Sequence, residues 1–153
     1  MKEVRLGWLA GIIDGEGSIG MSHSKVKGTS YRPYIQICNC DLKLINEVMD
    51  ILDNYKIKYT FYHRKEDRKS NWRDSITITI GTYSEGIKVL ELMCPFLISK
   101  LEQASILLEF LRHRAGINHK GQVDSKGRFK KSYDGKEIEA HQKLHKLNFK
   151  GRR

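Results

Sequence analysis

Two carboxylates, Asp14 and Glu16, stand between glycines directly after an apolar run in the stretch LAGIIDGEG, residues 9 to 17. The C-terminal end of a helix carries about half a negative charge, which disfavours a nearby carboxylate unless a cation is close. A site of hard oxygen ligands suits Mg²⁺, which takes one or two carboxylates together with waters and phosphate oxygens. The pair therefore indicates a cation site at the end of a helix.

The helix that would carry this pair is predicted over residues 4 to 15. Its apolar positions follow the i, i+3, i+4, i+7 pattern of one helix face, and Gly15 and Gly17 end it. Gly7 and Gly11 are four residues apart on this helix, a spacing that lets a second helix approach closely.

The rest of the chain predicts an α+β domain. SIGMSHS and YRPYIQICNC alternate apolar and polar residues around a turn, and Asp41 precedes a helix with one apolar stripe. KIKYTFYHR, residues 56 to 64, and WRDSITITIGT predict a second pair of strands, followed by helices at about 84 to 93 and 97 to 114. The expected order is α-β-β-α-β-β-α-α, with one face of the sheet under helices and the other open.

The predicted open face is polar. Ile35, Ile37 and the isoleucines of DSITITI are expected to face the core, which turns Tyr34, Gln36 and the neighbouring serine and threonines outward. Such groups can bond base edges and phosphates, but any solvated sheet face has a similar composition. The basic hairpin KVKGTSYR beside this face favours nucleic acid.

The net charge of +10 is concentrated at one end of the chain. Residues 1 to 111 carry 15 Lys or Arg against 14 Asp or Glu, whereas residues 112 to 153 carry 13 against 4. We therefore expect a folded core over residues 1 to 112 and a basic C-terminal extension over 113 to 153 with a short helix. The extension either lies along phosphates, where neutralisation releases counterions, or serves only for solubility.

Other classes of protein fit the composition less well. No run reaches the roughly 18 apolar residues of a membrane span, and the N-terminus has no signal-peptide cleavage pattern. Three cysteines are an odd number and do not suit a disulfide framework. A soluble intracellular protein without membrane contact is expected.

LAGIIDGEG resembles the motif of the LAGLIDADG homing endonucleases, with Ile12 for Leu, Gly15 for Ala and Glu16 for the second Asp. The order of elements and CPFLISKLEQA, residues 94 to 104, are also similar to that family. The resemblance covers about residues 5 to 112 and implies an α-β-β-α-β-β-α fold with a saddle-shaped antiparallel sheet. The basic extension lies outside it.

The resemblance implies that Glu16 and the backbone carbonyl of Gly15 bind the catalytic divalent cations. Mg²⁺ is the expected metal, with Mn²⁺ able to substitute and Ca²⁺ expected to bind without supporting cleavage. Glu in place of Asp lengthens the arm but remains a hard ligand. Asp14 would help to end the helix.

Two further catalytic positions follow from the same resemblance. A polar residue at the end of the second strand positions the attacking water in the family; Asp41 is the first candidate and Asn39 the second, although Asp41 also suits the N-cap of the second helix. Lys100 matches an active-site lysine by its spacing from PFL, where its ammonium would stabilise charge on the phosphate. The alternative for Lys100 is an ordinary surface lysine.

A single copy of the motif implies a homodimer, with the motif helices packed together through Gly7, Ala10 and Gly11. The implied reaction is metal-assisted hydrolysis of one phosphodiester on each strand of double-stranded DNA, leaving short 3′ overhangs. Each sheet would lie in the major groove of one half of a long, nearly palindromic target. An intron origin, and the cytoplasm of a prokaryote or an organelle matrix, would fit such an enzyme.

Strand alternation and the basic hairpin supply the candidate DNA contacts. They are Ser22, Ser24, Lys25, Lys27, Arg32, Tyr34, Gln36, Cys38, Arg64, Arg73, Ser75 and Thr77.

Other metal sites and other functions fit these residues less well. DGEGSI does not match a calcium loop, and the cysteines and histidines lack the spacing of a zinc site. The main rival is an intron-RNA maturase or a non-cleaving DNA-binding protein on the same fold. Such relatives would be expected to lose Glu16 or Lys100, and both are present, so the nuclease is favoured.

Overall fold

The computed structural model describes residues 2–24, 30–65, 74–116 and 135–149. The elements are, in chain order, α1 (Lys2–Glu16), β1 (Gly17–Ser24), β2 (Ser30–Asn39), α2 (Leu42–Asn54), β3 (Thr60–Arg64), β4 (Ser75–Ile80), α3 (Tyr83–Met93), α4 (Leu101–Gly116) and α5 (Gly135–Phe149). The predicted α+β class and the predicted order of elements are confirmed.

The strands form one antiparallel sheet in the order β1-β2-β4-β3. Ile19 pairs with Ile35 and Ile37 with Ile78, so isoleucines from three strands share one face. These isoleucines are buried beneath helices α1, α2 and α3. Because side chains alternate along a strand, the polar residues between them lie on the opposite face. The polar face is thereby held as an open surface.

The core is formed by apolar faces of the helices packed on the sheet. Leu6, Leu9, Ala10 and Ile13 of α1 are buried, as the helical spacing predicts. This packing fixes the direction of α1 and therefore the position of its C-terminal end.

Strand β3 begins at Thr60, four residues later than predicted. The intervening residues complete the end of α2: the backbone N–H of Lys56 donates to the carbonyl of Asp53 and that of Ile57 to the carbonyl of Leu52, both at 2.9 Å. Lys56 has φ of 54°, the left-handed conformation of this helix termination. The two N–H groups are therefore used by the helix and not by the sheet.

Helix α4 also begins later than predicted, at Leu101, because residues 97 to 100 form a turn between α3 and α4. The carbonyl of Lys100 accepts the backbone N–H of Ala104 at 2.9 Å, which starts the helix.

Helix α5 packs against α4 and β1. Leu144 is buried, and Arg114 of α4 forms an ion pair with Glu137 of α5, Nη1 to Oε1 3.1 Å, between side chains only 5% and 1% exposed. Helix α5 of the basic C-terminal region is thus joined to α4 through a buried contact.

Within the described ranges, none of the helices has the length and apolar character needed to cross a membrane. Cys38, Cys40 and Cys94 are free thiols.

Candidate functional site

The exposed carboxylate of Glu16 ends α1, and the chain turns directly into β1 at Gly17. A Cβ at Gly17 would lie 2.6 Å from the carbonyl oxygen and 2.8 Å from the Cα of Ile13, so a side chain there would collide with backbone. Gly15, in contrast, faces open space. The two glycines that flank Glu16 therefore have different roles: Gly17 permits the turn, and Gly15 leaves the helix end accessible.

The Asp14 carboxylate is held by hydrogen bonds within the protein. Its carboxylate accepts the backbone N–H of Ile98 at 2.7 Å and that of Lys100 at 2.9 Å. Partial burial alone would raise the pKa of Asp14, but the hydrogen bonds from these N–H groups and the Lys100 charge lower it below its ordinary value. The positive N-terminal end of α4 thus compensates the carboxylate at the negative end of α1.

The side chain of Lys100 contacts the same C-terminal end of α1. Its ammonium donates a hydrogen bond to the backbone carbonyl of Asp14. Asp14 therefore holds the Lys100 backbone through its side chain and receives the Lys100 side chain at its own carbonyl. The structure places the predicted catalytic lysine at the C-terminal end of α1, two residues before Glu16.

Lys100 also lines a cleft of about 330 Å³ between β1 and the end of α5. Gly17 and Ser18 line the cleft on the β1 side, and His145 and Asn148 line it on the α5 side. The cleft therefore opens beside the chain segment that follows Glu16.

Asp41 is the N-cap of α2, a role that the sequence offered as the alternative to positioning the attacking water. Its Oδ1 accepts the backbone N–H of Lys43 at 2.8 Å and of Leu44 at 3.4 Å. The side chain of Asn39 in turn accepts the N–H of Asp41 at 2.8 Å. Both water-positioning candidates thus stabilise the entry to α2, and the Asp41 carboxylate is engaged by a helix N-terminus.

The open face of the sheet carries most of the predicted DNA contacts. The strand pairings put these candidates on one face: Ser22, Ser24, Arg32, Tyr34, Gln36, Cys38, Arg64, Ser75 and Thr77. Gln36 Nε2 donates to Thr79 Oγ1 at 3.1 Å and joins β2 to β4 across this face. Lys25, Lys27 and Arg73 lie outside the described residues.

The candidate DNA contacts omitted four residues on this face, Ser18, Thr60, Tyr62 and Thr79. Of these, strand alternation had already predicted that Thr79 faces outward. Tyr62 is 68% exposed and lies opposite Thr77. Alternation from Arg64 and from Ser22 would have found Tyr62 and Ser18. His145 and Asn148 could not be found in this way, because they reach the site from α5.

The family comparison covers the chain from α1 into α3. Residues 3–91, more than half of the chain, match the model of the LAGLIDADG-like domain. The chain belongs to the LAGLIDADG family. A comparison with curated protein sequences gives no match.

Solved structures of LAGLIDADG homing endonucleases share the fold. I-CvuI in complex with its target has a TM-score of 0.68 at 16% identity, over 95% of this chain and 83% of that one. The archaeal intron-encoded I-Vdi141I in complex with DNA has a TM-score of 0.62 at 14% identity, over 97% and 99%. The meganuclease I-SmaMI bound to uncleavable DNA has a TM-score of 0.59 at 17% identity, over 97% of this chain and 45% of that one.

The LAGLIDADG helix, α1, has two distinct faces. Ala10 was predicted as a dimer contact together with Gly7 and Gly11, and within one chain it is fully buried in the core. Gly7 is half-buried, and a Cβ there would meet the Phe96 ring at 4.0 Å, whereas Gly11 faces open space. Val4 and Trp8 lie on the same side of the helix as Gly11 and are 75% and 37% exposed. The exposed stripe of the LAGLIDADG helix is therefore Val4, Trp8, Gly11 and Gly15.

The end of α1 offers oxygen donors for a metal. Glu16 offers an exposed carboxylate, and the carbonyls of a last helical turn have no partner within the helix. These hard oxygens fit Mg²⁺. Among the residues that the structure describes, no three His, Cys, Asp or Glu side chains gather as a metal site, so Glu16 would need further oxygens from a substrate, water or a second chain.

Proposed function

We propose that this protein is a site-specific, metal-dependent DNA endonuclease that acts as a homodimer. The observation that carries the proposal is the exposed Glu16 carboxylate at the end of α1, beside an open polar sheet. The Lys100 ammonium is held at the carbonyl of Asp14, two residues before Glu16 in the sequence. The DNA complexes of I-CvuI and I-Vdi141I, which share the fold, support double-stranded DNA as the substrate.

Glu16 and the Gly15 carbonyl would hold the divalent cation. When bound, the cation supplies an activated water and stabilises charge on the leaving oxygen. Asp14 would not serve as a ligand, since its two oxygens already accept backbone N–H groups.

Lys100 supplies the positive charge that a phosphodiester requires. Asp14 fixes the backbone of Lys100, and the Asp14 carbonyl orients the ammonium, so the charge is positioned before DNA binds. A preorganised donor of this kind costs no reorganisation during the reaction. Asp14 is therefore a positioning residue and Lys100 a catalytic one.

The open face of the sheet would contact the bases of one half of the target. A four-stranded polar surface with Arg32, Tyr34, Gln36 and Arg64 carries donors suited to base edges and phosphates. Two such sheets, related by the twofold axis of a dimer, would require a long and nearly palindromic target.

The dimer would form through the exposed stripe of α1. Two copies packed there bring two Glu16 carboxylates together, and bound cations would relieve the repulsion between them. The absence of a three-residue metal site within the described part of one chain agrees with a site completed by a second protomer and by DNA.

The test is a cleavage selection. The wild-type protein, Glu16→Gln and the control Glu3→Gln are incubated with a randomised plasmid library in Mg²⁺ or in EDTA, and the new DNA ends are sequenced. Glu3 is an exposed carboxylate at the other end of α1, so its variant removes the same charge. We expect Mg²⁺-dependent cuts at one near-palindromic site by the wild type and by Glu3→Gln only.

Other results would contradict this function. Salt-sensitive DNA binding without cuts by the wild type would indicate a DNA-binding regulator, and tight binding to intron RNA without cuts would indicate a maturase. Equal cleavage by Glu16→Gln would remove Glu16 from the catalytic site.

A further inference from the structure

The cleft beside Glu16 is lined by hydrogen-bond donors from four different parts of the fold. Ser18 comes from β1, Tyr34 from β2, Lys100 from the turn before α4, and His145 and Asn148 from α5. Its lining within the described chain contains no carboxylate. Such a set of groups favours an anion.

The cleft lies at the β1 edge of the sheet, where Ser18 and Tyr34 of the open face line it together with Met21 of the opposite face. Tyr34 pairs with Gly20 there, and a Cβ at Gly20 would lie 2.7 Å from the Tyr34 hydroxyl oxygen and 3.0 Å from Asn148 Nδ2. Asn148 Nδ2 also donates to the carbonyl of Ile19 at 3.0 Å, on the edge strand. The end of α5 is therefore attached to β1 where the DNA-facing surface meets the catalytic end of α1.

His145 is exposed and is held by ring contacts. Its ring centroid lies 4.4 Å from that of Phe149 and 6.0 Å from that of His141, which in turn is 5.4 Å from His23 of β1. Within the described chain, the charged and titratable groups that line the cleft are Lys100, Tyr34 and His145, with His141 and His23 behind His145 and the Glu16 carboxylate next to Gly17 at the edge. With Glu16 engaged by the cation of the proposed function, Lys100 and His145 would face an anionic ligand.

We propose that this cleft is a subsite for a backbone phosphate of the bound DNA strand, in which His145 of α5 binds the phosphate together with Lys100. The proposal rests on the proposed function, because the strand is the one that Glu16 would cleave. It assigns the C-terminal helix a direct role in substrate binding, which the resemblance over residues 5 to 112 does not include.

A histidine–phosphate contact makes DNA affinity depend on pH. A phosphate binds the imidazolium more tightly than the neutral ring, so affinity is expected to rise toward acidic pH. One phosphate contact also changes the slope of log K against log salt by about 0.9. Both effects are independent of DNA sequence, so a duplex of random sequence is a sufficient probe.

The experiment compares the wild-type protein with His145→Gln, His145→Arg and Lys143→Gln. Lys143 is the matched control: it lies two residues away on α5, is 60% exposed, and is paired with Glu139 at 2.7 Å outside the cleft. Fluorescence anisotropy with the random duplex in EDTA gives the dissociation constant at about pH 5.5 and pH 8, either side of the ordinary histidine pKa. Circular dichroism checks that each variant is folded.

We expect His145→Gln to bind roughly five- to tenfold more weakly than the wild type at the lower pH, with a smaller salt slope, and Lys143→Gln to change much less. His145→Arg keeps the charge at both pH values, so it should match the wild type at low pH and bind more tightly at high pH. Equal losses in His145→Gln and Lys143→Gln, or failure of the arginine to restore binding, would overturn the subsite.

The two proposals fail separately. Cleavage by the wild type without a specific effect at His145 would refute the phosphate subsite alone. A specific effect at His145 in a protein that never cleaves would leave the subsite standing and refute the nuclease.

Discussion

Asp14 and Lys100 hold each other through two opposite contacts: the Asp14 carboxylate accepts the backbone N–H of Lys100, and the Lys100 ammonium donates to the Asp14 carbonyl. The residues are 86 positions apart in sequence. This pair joins the C-terminal end of α1 to the N-terminal end of α4. The carboxylate at a helix C-terminus, which suggested a cation, is compensated at Asp14 by the other helix, and only Glu16 remains exposed for a metal.

Asp14→Asn should destabilise the protein and change its response to acid. The amide cannot accept two charge-assisted hydrogen bonds, so we expect a loss of about 1–3 kcal/mol at neutral pH. Because the folded pKa of Asp14 lies below the unfolded value of about 3.9, its stabilisation is present above that pH and is lost as pH falls through the folded pKa. Urea unfolding from pH 7 to pH 3 should therefore show a smaller acid-induced loss in Asp14→Asn than in the wild type, and equal losses would contradict this role.

Asp41→Asn should have little effect. Asparagine is as good an N-cap as aspartate, so α2 keeps its start, whereas Asp41→Ala should cost about 1 kcal/mol. Since the Asp41 carboxylate is engaged at α2, we expect Asp41→Asn to cleave the selected target at the wild-type rate. A large fall in the single-turnover rate of this folded variant would instead return Asp41 to the water-positioning role.

Gly17→Ala should be strongly destabilising and Gly15→Ala should not. The new Cβ at position 17 would meet backbone atoms of Ile13, which cannot move without distorting α1, and we expect a loss of at least about 2 kcal/mol. Position 15 belongs to α1, and a Cβ there would meet no described residue within 4 Å. In a helix, alanine is favoured over glycine by about 0.5–1 kcal/mol. Thermal unfolding of the two variants measures both the predicted destabilisation and the predicted stabilisation. Similar melting temperatures would rule out a collision between the new Cβ at position 17 and the Ile13 backbone.

Regular patterns in the sequence predicted the elements but not the contacts between distant segments. Alternation correctly buried Ile35, Ile37 and Ile78, because each strand repeats every two residues. Helical periodicity predicts Ala10 in the core with Leu6 and Ile13, and the structure confirms that position. The small size of Ala10 also suggested a dimer contact.

Contacts between segments far apart in the sequence leave no pattern in the local sequence. The position of Lys100 at the end of α1 depends on tertiary packing, as does the docking of α5, whose sequence is polar except for a few positions such as Leu144. The partners Arg114 and Glu137 lie in a segment that composition alone describes as solvated, so their burial was not predicted.

The buried Arg114–Glu137 pair makes a further prediction. Arg114→Met leaves the Glu137 charge buried without its guanidinium and should cost about 3–5 kcal/mol, whereas the double variant Arg114→Met, Glu137→Met should recover most of this loss. Urea unfolding of the wild type, both single variants and the double variant closes a thermodynamic cycle. Additive losses in the double variant would show that the two side chains act independently.

Gly11→Leu should convert the proposed dimer into a folded monomer. A Cβ at position 11 meets nothing within 4 Å among the described residues, and leucine favours a helix over glycine by almost 1 kcal/mol, so the fold should be kept or stabilised. The leucine side chain would separate two α1 helices that approach through Gly11. Gly116→Leu at the end of α4, where a Cβ also meets no described residue within 4 Å, is the matched control and should remain dimeric in sedimentation equilibrium. Because each protomer would supply one Glu16, Gly11→Leu should also lose double-strand cleavage; a dimeric Gly11→Leu, or a monomeric wild type on DNA, would show that the exposed stripe of α1 is not the interface.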